Sequence, residues 1–289
     1  MGKLLIVADI KGKCCATPRG LELAAKLGQE VDVVAFIYAP LKQLKITAAK
    51  QADVRARLIA DREREVQANI DKYRRPGQKP KLKVVWEKDI GGWINKQCAG
   101  DRYTGLVKTG NRSESMVHTS TDWQILRECP VPILLVAEKK WHRTHPVLVT
   151  LDLASSVATK RALNNKVLGI AKGLAEALGS ELKIITAIEI PTLLSDLDLV
   201  DPVAFVNNVR ESMQPQIKKL AAVHGIPEKA FQCKRGPVEK VITSHAAKVR
   251  AQIVVLGTVG RKGVKARLLG NTAEKVLRHM KTDVLAIKP

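Results

Sequence analysis

The sequence predicts an α/β protein made of two tandem doubly wound domains, each with a mainly parallel five-stranded sheet. Three observations predict it. Near-continuous Val/Ile/Leu runs of strand length alternate with helical segments along all 289 residues, the pattern of strands buried on both faces. The pattern runs twice, with a period of about 150 residues, too long for a solenoid repeat and long enough for a duplicated domain. One strand near the C-terminus ends in glycines that lead into a helix.

In the first copy the elements read as strand 3–10, helix 18–27, strand 31–37, a long helix 44–73, strand 82–86, helix 90–100, strand 105–108, a loop, helix 121–127 and strand 131–136. The second copy carries clearer punctuation. Strand Val147–Asp152 leads to helix Lys160–Leu178, which Gly179 stops. Strand Leu182–Ile188 leads to a long helix Asp201–His224, ended by Gly225 and Pro227. A short strand Phe231–Lys234 precedes a helix whose first turn holds Pro237. Strand Ile253–Leu256, the glycine loop, helix Thr272–His279 and strand Asp283–Ile287 complete it. Right-handed crossovers then place a ligand crevice at the carboxyl ends of the strands.

The copies match in detail. Val31 to Pro40 aligns without gaps on Leu182 to Pro191. Leu4 to Ile10 aligns on Val147 to Leu153, with Asp9 opposite Asp152. Ile133 to Val136 matches Val284 to Ile287, and the preceding helices end alike in Leu126-Arg127 and Leu277-Arg278. The basic segment 138–146 links the copies, giving domains 1–140 and 141–289.

Composition narrows the function classes. Apolar residues are 45% of the chain, enough for a core in each half, and no apolar run approaches the roughly 18–20 residues that span a bilayer. The first apolar run is short and ends at Asp9, so it reads as a strand rather than a signal peptide, and a cytoplasmic location is expected. Five scattered cysteines, with no C-x-x-C pair, do not form a disulfide framework. Spacing gives no support to a metal site from Cys14, Cys15, Cys98, Cys129 and His118, or from His142 and His145, and metal binding stays open. The formal charge of +21 favours polyanions, but basic and acidic residues are interspersed and aromatics are 3%, which is poor material for base stacking.

Gly257-Thr258-Val259-Gly260 followed by Gly270-Asn271-Thr272 points to a ligand. A strand that ends in a glycine loop and then a helix start offers backbone N–H groups and a favourable dipole to an anion such as phosphate. Gly257 and Gly260 are expected to supply positive φ or close backbone approach. Asn271 and Thr272 are expected to cap the helix. Arg261, Lys262, Lys265 and Arg267 add positive charge between the glycines.

These residues, with the strand Val147-Leu148-Val149-Thr150-Leu151-Asp152, resemble the universal stress protein family in its tandem form, and the resemblance covers essentially the whole chain. It implies a Rossmann-like fold and, through the pattern G-x2-G-x9-G-[S/T], a crevice for ATP or a related nucleotide in the second copy. It implies Asp152 beside the base or ribose, and Ala187 near adenine through its backbone. Leu256 and Gly257 would line base and sugar, and Gly260, Gly270, Asn271 and Thr272 would hold phosphates. Asn271 departs from the Ser or Thr that the pattern places after Gly270.

The first copy lacks the pattern. By local alignment Lys108 stands opposite Gly257, Asn111 opposite Gly260 and Thr119 opposite Gly270, and the loop is about two residues shorter. Phosphate binding of the second copy's kind is not expected there. Asp9 is either a crevice residue or a strand terminator. The chain has no Gly-Lys-[Ser/Thr] P-loop, no G-x-S-x-G and no H-E-x-x-H. A non-catalytic stress-response protein is therefore expected, with no residue to assign to slow ATP hydrolysis. The two domains are expected to pair within the chain, with a further homodimer open. The alternative is an interaction protein with a vestigial site, acting through its basic surface on RNA, DNA or a protein partner, or taking a nucleotide-sugar or lipid-linked ligand.

Overall fold

The computed structural model describes residues 2–10, 14–110, 121–138, 141, 145–191, 201–258 and 270–289. The chain divides into two compact units, Met1–Glu138 and Lys139–Pro289. In unit 1 the order is β1 (Lys3–Val7), α1 (Ala16–Leu27), β2 (Glu30–Ile37), α2 (Ala48–Tyr73), β3 (Lys81–Trp86), α3 (Ile90–Cys98), β4 (Gly105–Thr109), α4 (Thr121–Glu128) and β5 (Ile133–Val136). In unit 2 it is β6 (Val147–Thr150), α5 (Ala158–Leu178), β7 (Leu182–Ile188), α6 (Pro202–His224), β8 (Phe231–Arg235), α7 (Val238–Lys248), β9 (Ile253–Gly257), α8 (Asn271–His279) and β10 (Asp283–Ile287).

Each unit has five parallel strands, in the orders β3-β2-β1-β4-β5 and β8-β7-β6-β9-β10. In unit 1, α1 packs with α2 and α3 packs with α4, so helices cover both faces of the sheet. Both faces being covered is why the inner strands are largely apolar: Leu5, Ile6, Leu106 and Ile133 are fully buried in unit 1, as are Leu148, Val254 and Val255 in unit 2.

The doubly wound prediction stands, and the differences lie at element ends. Residues 41–43 form a 3-10 turn, and α2 begins only after Thr47, whose hydroxyl accepts from Lys50 N–H. β5 begins after Pro132, which gives its carbonyl to Leu106 N–H but has no N–H to give. Gly179 and Gly225 end α5 and α6 at φ near 60°, where a side chain would be strained. Pro237 precedes α7 as its cap rather than lying in the first turn, with ψ of 134°. Asp201 caps α6, accepting from Val203 N–H at 2.7 Å.

A buried carboxylate at the amino end of the unit 1 sheet has a structural role. Asp32 receives the Tyr103 hydroxyl at 2.9 Å, the Arg102 guanidinium at 2.6 Å and the Lys3 ammonium at 3.2 Å. Burial pushes its acidity the other way, but these three donors together hold its pKa below the usual carboxylate value. The Tyr103 hydroxyl is pushed up to about 12, by burial first and then by Asp32.

Candidate functional site

In unit 2 the chain leaves β6 toward β7 on one side and leaves β9 toward β10 on the other. The two crossovers diverge there, so the carboxyl ends of β6 and β9 flank the crevice of a doubly wound sheet. The ladder between the two strands ends with Val149 opposite Val255, and Asp152, Gly257 and Thr258 follow at the rim.

β6 stops at Thr150, short of Asp152. The backbone of Asp152 is taken over by Asn164 of α5. Asn164 Oδ1 accepts from Asp152 N–H at 3.1 Å, and Asn164 Nδ2 donates to Asp152 C=O at 2.7 Å. Asn164 is buried, so its amide would be costly without these partners. The Asp152 carboxylate projects outward, with 52% of the side chain exposed, and Lys160 Nζ lies 2.9 Å away. Leu151 and Leu153, on either side, are buried and anchor the loop. The Thr186 hydroxyl donates to Leu151 C=O at 3.1 Å, tying β7 to the same rim. Ala187 follows, half-buried, one residue before β7 ends.

Leu256 is 3% exposed, so what its position offers the crevice is backbone. Gly257 closes β9. A Cβ there would stand 2.8 Å from Leu163 Cδ2 and 3.0 Å from Leu163 Cγ. Its φ is not in the left-handed region. Of the two freedoms expected of Gly257, close backbone approach is the one used and positive φ is not: glycine is needed there because α5 lies against the strand end. Thr258 then turns its N–H and its hydroxyl onto Ile287 C=O, at 2.7 and 3.2 Å.

The helix start also differs from expectation. Gly270 is the cap of α8, with φ −63° and ψ 136°, and its carbonyl accepts from Glu274 N–H at 3.0 Å. Asn271 and Thr272 are the first two helical residues, not the caps. A glycine cap has no side chain to accept the first-turn N–H groups, which an α-helix does not itself satisfy. Gly260 and the side chains of Asn271 and Thr272 lie outside the described residues, as do Arg261, Lys262, Lys265 and Arg267.

Unit 1 follows another chemistry at the same place. Gly110 N–H donates to Val136 C=O at 3.0 Å, as Thr258 does to Ile287. With Leu106 opposite Ile133 and Val254 opposite Val284, Thr109 corresponds to Gly257 and Lys108 to Leu256. The alignment of Lys108 with Gly257 is thus corrected by one residue. The offset between copies is 148 positions on β4 and β9 but 151 on β5 and β10, so the loop is three residues shorter rather than two. Lys108 Nζ lies 2.6 Å from Asp122 Oδ1 and donates to Thr109 C=O at 2.9 Å, both side chains being buried. Asn111 and Thr119 lie outside the described residues. Asp9 Oδ2 accepts from Cys15 and Ala16 N–H at 2.8 and 3.2 Å, so this carboxylate caps α1. Arg62 donates to its carbonyl.

Among the described residues no three metal-ligating side chains cluster. His118 and His142 are outside them. Sequence reasoning missed Asn164 and Lys160. A polar residue on the buried face of α5, twelve positions after Asp152, was the available signal for Asn164.

Fold and crevice together define a tandem doubly wound α/β protein whose C-terminal unit closes β9 on Gly257 and caps α8 with Gly270. A family model for the Universal stress protein family matches residues 144–288. Universal stress protein E of Escherichia coli (strain K12) is 30% identical over 282 residues, 95% of this chain and 89% of that protein. The universal stress protein E homolog of Haemophilus influenzae is 29% identical over 250 residues, covering 84% of this chain and 81% of its own. The chain belongs to the universal stress protein family. Its fold is also that of protein PA1789 of Pseudomonas aeruginosa, with TM-score 0.69 and 21% identity over 99% of this chain and 92% of that one. A universal stress protein of Archaeoglobus fulgidus gives TM-score 0.64 and 20% identity, covering 99% and 98%. Among the described residues, no helix is long and apolar enough to cross a membrane.

Proposed function

We propose that this is a non-catalytic stress-response protein of the cytoplasm, whose C-terminal unit takes ATP or a related nucleotide in the crevice between β6 and β9. One observation carries the reading. Gly257 ends β9 at the point where the crossovers diverge, and Gly270, thirteen positions on, caps α8. A phosphate there meets first-turn N–H groups for which Gly270 offers no side chain in competition, and the positive end of the helix dipole. Asp152, held by its backbone with its carboxylate outward, suits a ribose hydroxyl or base edge. Ala187, Leu256 and Gly257 bound the base and sugar, and Gly260, Gly270, Asn271 and Thr272 take the phosphates. Family membership supports the assignment. Occupancy of the crevice would alter the protein's interactions rather than drive a reaction.

Isothermal titration with ATP tests this, comparing the native chain with a Gly260→Asp, Gly270→Asp double variant. Binding heat in the native chain and none in the variant is expected. Equal heats in both would overturn the reading.

The charge of +21 favours a second reading, in which the basic surface binds RNA or DNA independently of the crevice. RNA binding that weakens steeply with salt and survives the double substitution would support it.

A further inference from the structure

Unit 1 carries a groove of about 700 Å³ away from the β1 and β4 ends, between the carboxyl ends of β2 and β3 and the first turns of α2. Its volume lies in the range of small-molecule sites, roughly 300–1,000 Å³. Tyr38 and Trp86 form one end, with ring centroids 5.9 Å apart at 54°. Among the described residues Tyr38 is the one aromatic side chain that is largely exposed, at 47%. In a chain where aromatics are 3%, that placement is unusual. Residues 51, 55 and 59 present one face of α2 to the groove, and Ala52 and Ala56 leave it open.

The charge of the groove is one-sided. Lys42 and Arg55 line it, and no carboxylate does. The Arg55 guanidinium sits over the Trp86 ring at 5.3 Å and has no carboxylate partner among the described residues. The nearby acids are engaged elsewhere: Asp53 pairs with Arg57 at 3.1 Å, and Glu87 accepts from Lys88 and Asp89 N–H at 2.8 and 2.9 Å. The groove is also particular to this copy. Ile37 pairs with Trp86 where Ile188 pairs with Arg235, and the gap-free alignment sets Tyr38 opposite Glu189. Unit 2 therefore has neither ring and has an acid at that place.

We propose that this groove binds a small planar aromatic anion. Tyr38 and Trp86 receive the ring, and Arg55, assisted by Lys42, takes the carboxylate or phosphate. Arg55 exchanges a cation–π contact for a charge-assisted hydrogen bond, and the ligand ring replaces it against Trp86. An exposed Tyr38 ring and a half-buried Trp86 ring beside an arginine suit an aromatic acid better than an aliphatic one, because stacking needs a second π-face. The proposal does not rest on the nucleotide reading, which concerns the other unit.

The test is calorimetric titration of the full chain with 2-naphthoate, with and without saturating ATP. Saturable binding is expected, weakened at least about tenfold by Arg55→Met and by Tyr38→Ala, each a surface change that leaves the melting temperature in place. The neutral 2-naphthamide should bind more weakly and ignore Arg55→Met. ATP should not displace 2-naphthoate. Absence of saturable binding, equal affinity in both variants and the native chain, or competition by ATP would each overturn the assignment. The last outcome would leave the nucleotide reading standing.

Discussion

Lys108 of β4 and Asp122 of α4 form a buried ion pair, 2.6 Å from Nζ to Oδ1, where unit 2 has Leu256 and Ala273. The pair joins the end of the strand to the first turn of the helix. In unit 2 the same two elements carry the glycine connection. An ammonium already held by a carboxylate and by Thr109 C=O gives unit 1 a different interior at this point. Lys108→Met should destabilise the protein by about 3–5 kcal/mol, because the buried Asp122 carboxylate would lose this ammonium. The double change Lys108→Leu, Asp122→Ala, which copies unit 2, should recover most of that loss. Urea unfolding of the two variants checks the coupling, and equal losses in both would refute it.

Gly257→Ala should cost about 1–3 kcal/mol, since its Cβ would fall 2.8 Å from Leu163 Cδ2. Leu163→Ala creates a cavity at that same spot. The two changes together should therefore cost less than the sum of each alone, and a double-mutant cycle by thermal unfolding measures the difference.

Asn164→Ala removes both hydrogen bonds to the Asp152 backbone and should cost about 1–3 kcal/mol. Asp152→Ala keeps those bonds and loses a surface ion pair, which is worth about 0–1 kcal/mol. Asp152→Ala should therefore melt close to the native chain while binding ATP more weakly. Calorimetry and a melting curve on the same sample separate the two effects.

His245 makes unit 2 sensitive to acid. Its Nδ1 lies 2.8 Å from Lys234 Nζ, and its Nε2 is buried without a hydrogen-bond partner among the described residues. Burial first, then Lys234, Lys183 and Lys248, lower its pKa below the ordinary value. The unfolded chain therefore takes up a proton that the folded chain refuses. This stability is complete above about pH 6.5 and falls as pH drops below it, levelling off past the folded-state pKa. Unfolding midpoints measured at about pH 7.5 and about pH 5.5 should differ more in the native chain than in His245→Gln. An equal pH dependence would rule His245 out as its source.

The tandem build was legible because the first, second and last strands of each copy repeat their apolar runs and Asp9 and Asp152 stand at the same place in both copies. The one-residue error at Lys108 arose in the loop that follows. A three-residue length difference leaves no mark of its position in the sequence, and the ladder bonds from Gly110 and Thr258 fix where the strands end. The capping role expected of Asn271 and Thr272 failed for a similar reason. Their composition suits a helix start, but Gly270 already has cap geometry, so they fall inside. Asn164 was legible only as a polar residue on the buried stripe of α5; its partner was not, because the contact is a tertiary one between a helix face and a loop.

Asn164 grips the main chain at position 152 and leaves the side chain alone. In unit 1 the matching carboxylate is committed to α1, so a change at Asp9 would also loosen a helix. Position 152 is under no such obligation. The residue there can therefore be exchanged while the loop that presents it keeps its shape, and under the proposed nucleotide reading a preference for base or sugar would change with it. The C-terminal unit is thus the one of the two whose rim can change its chemistry without the fold changing with it.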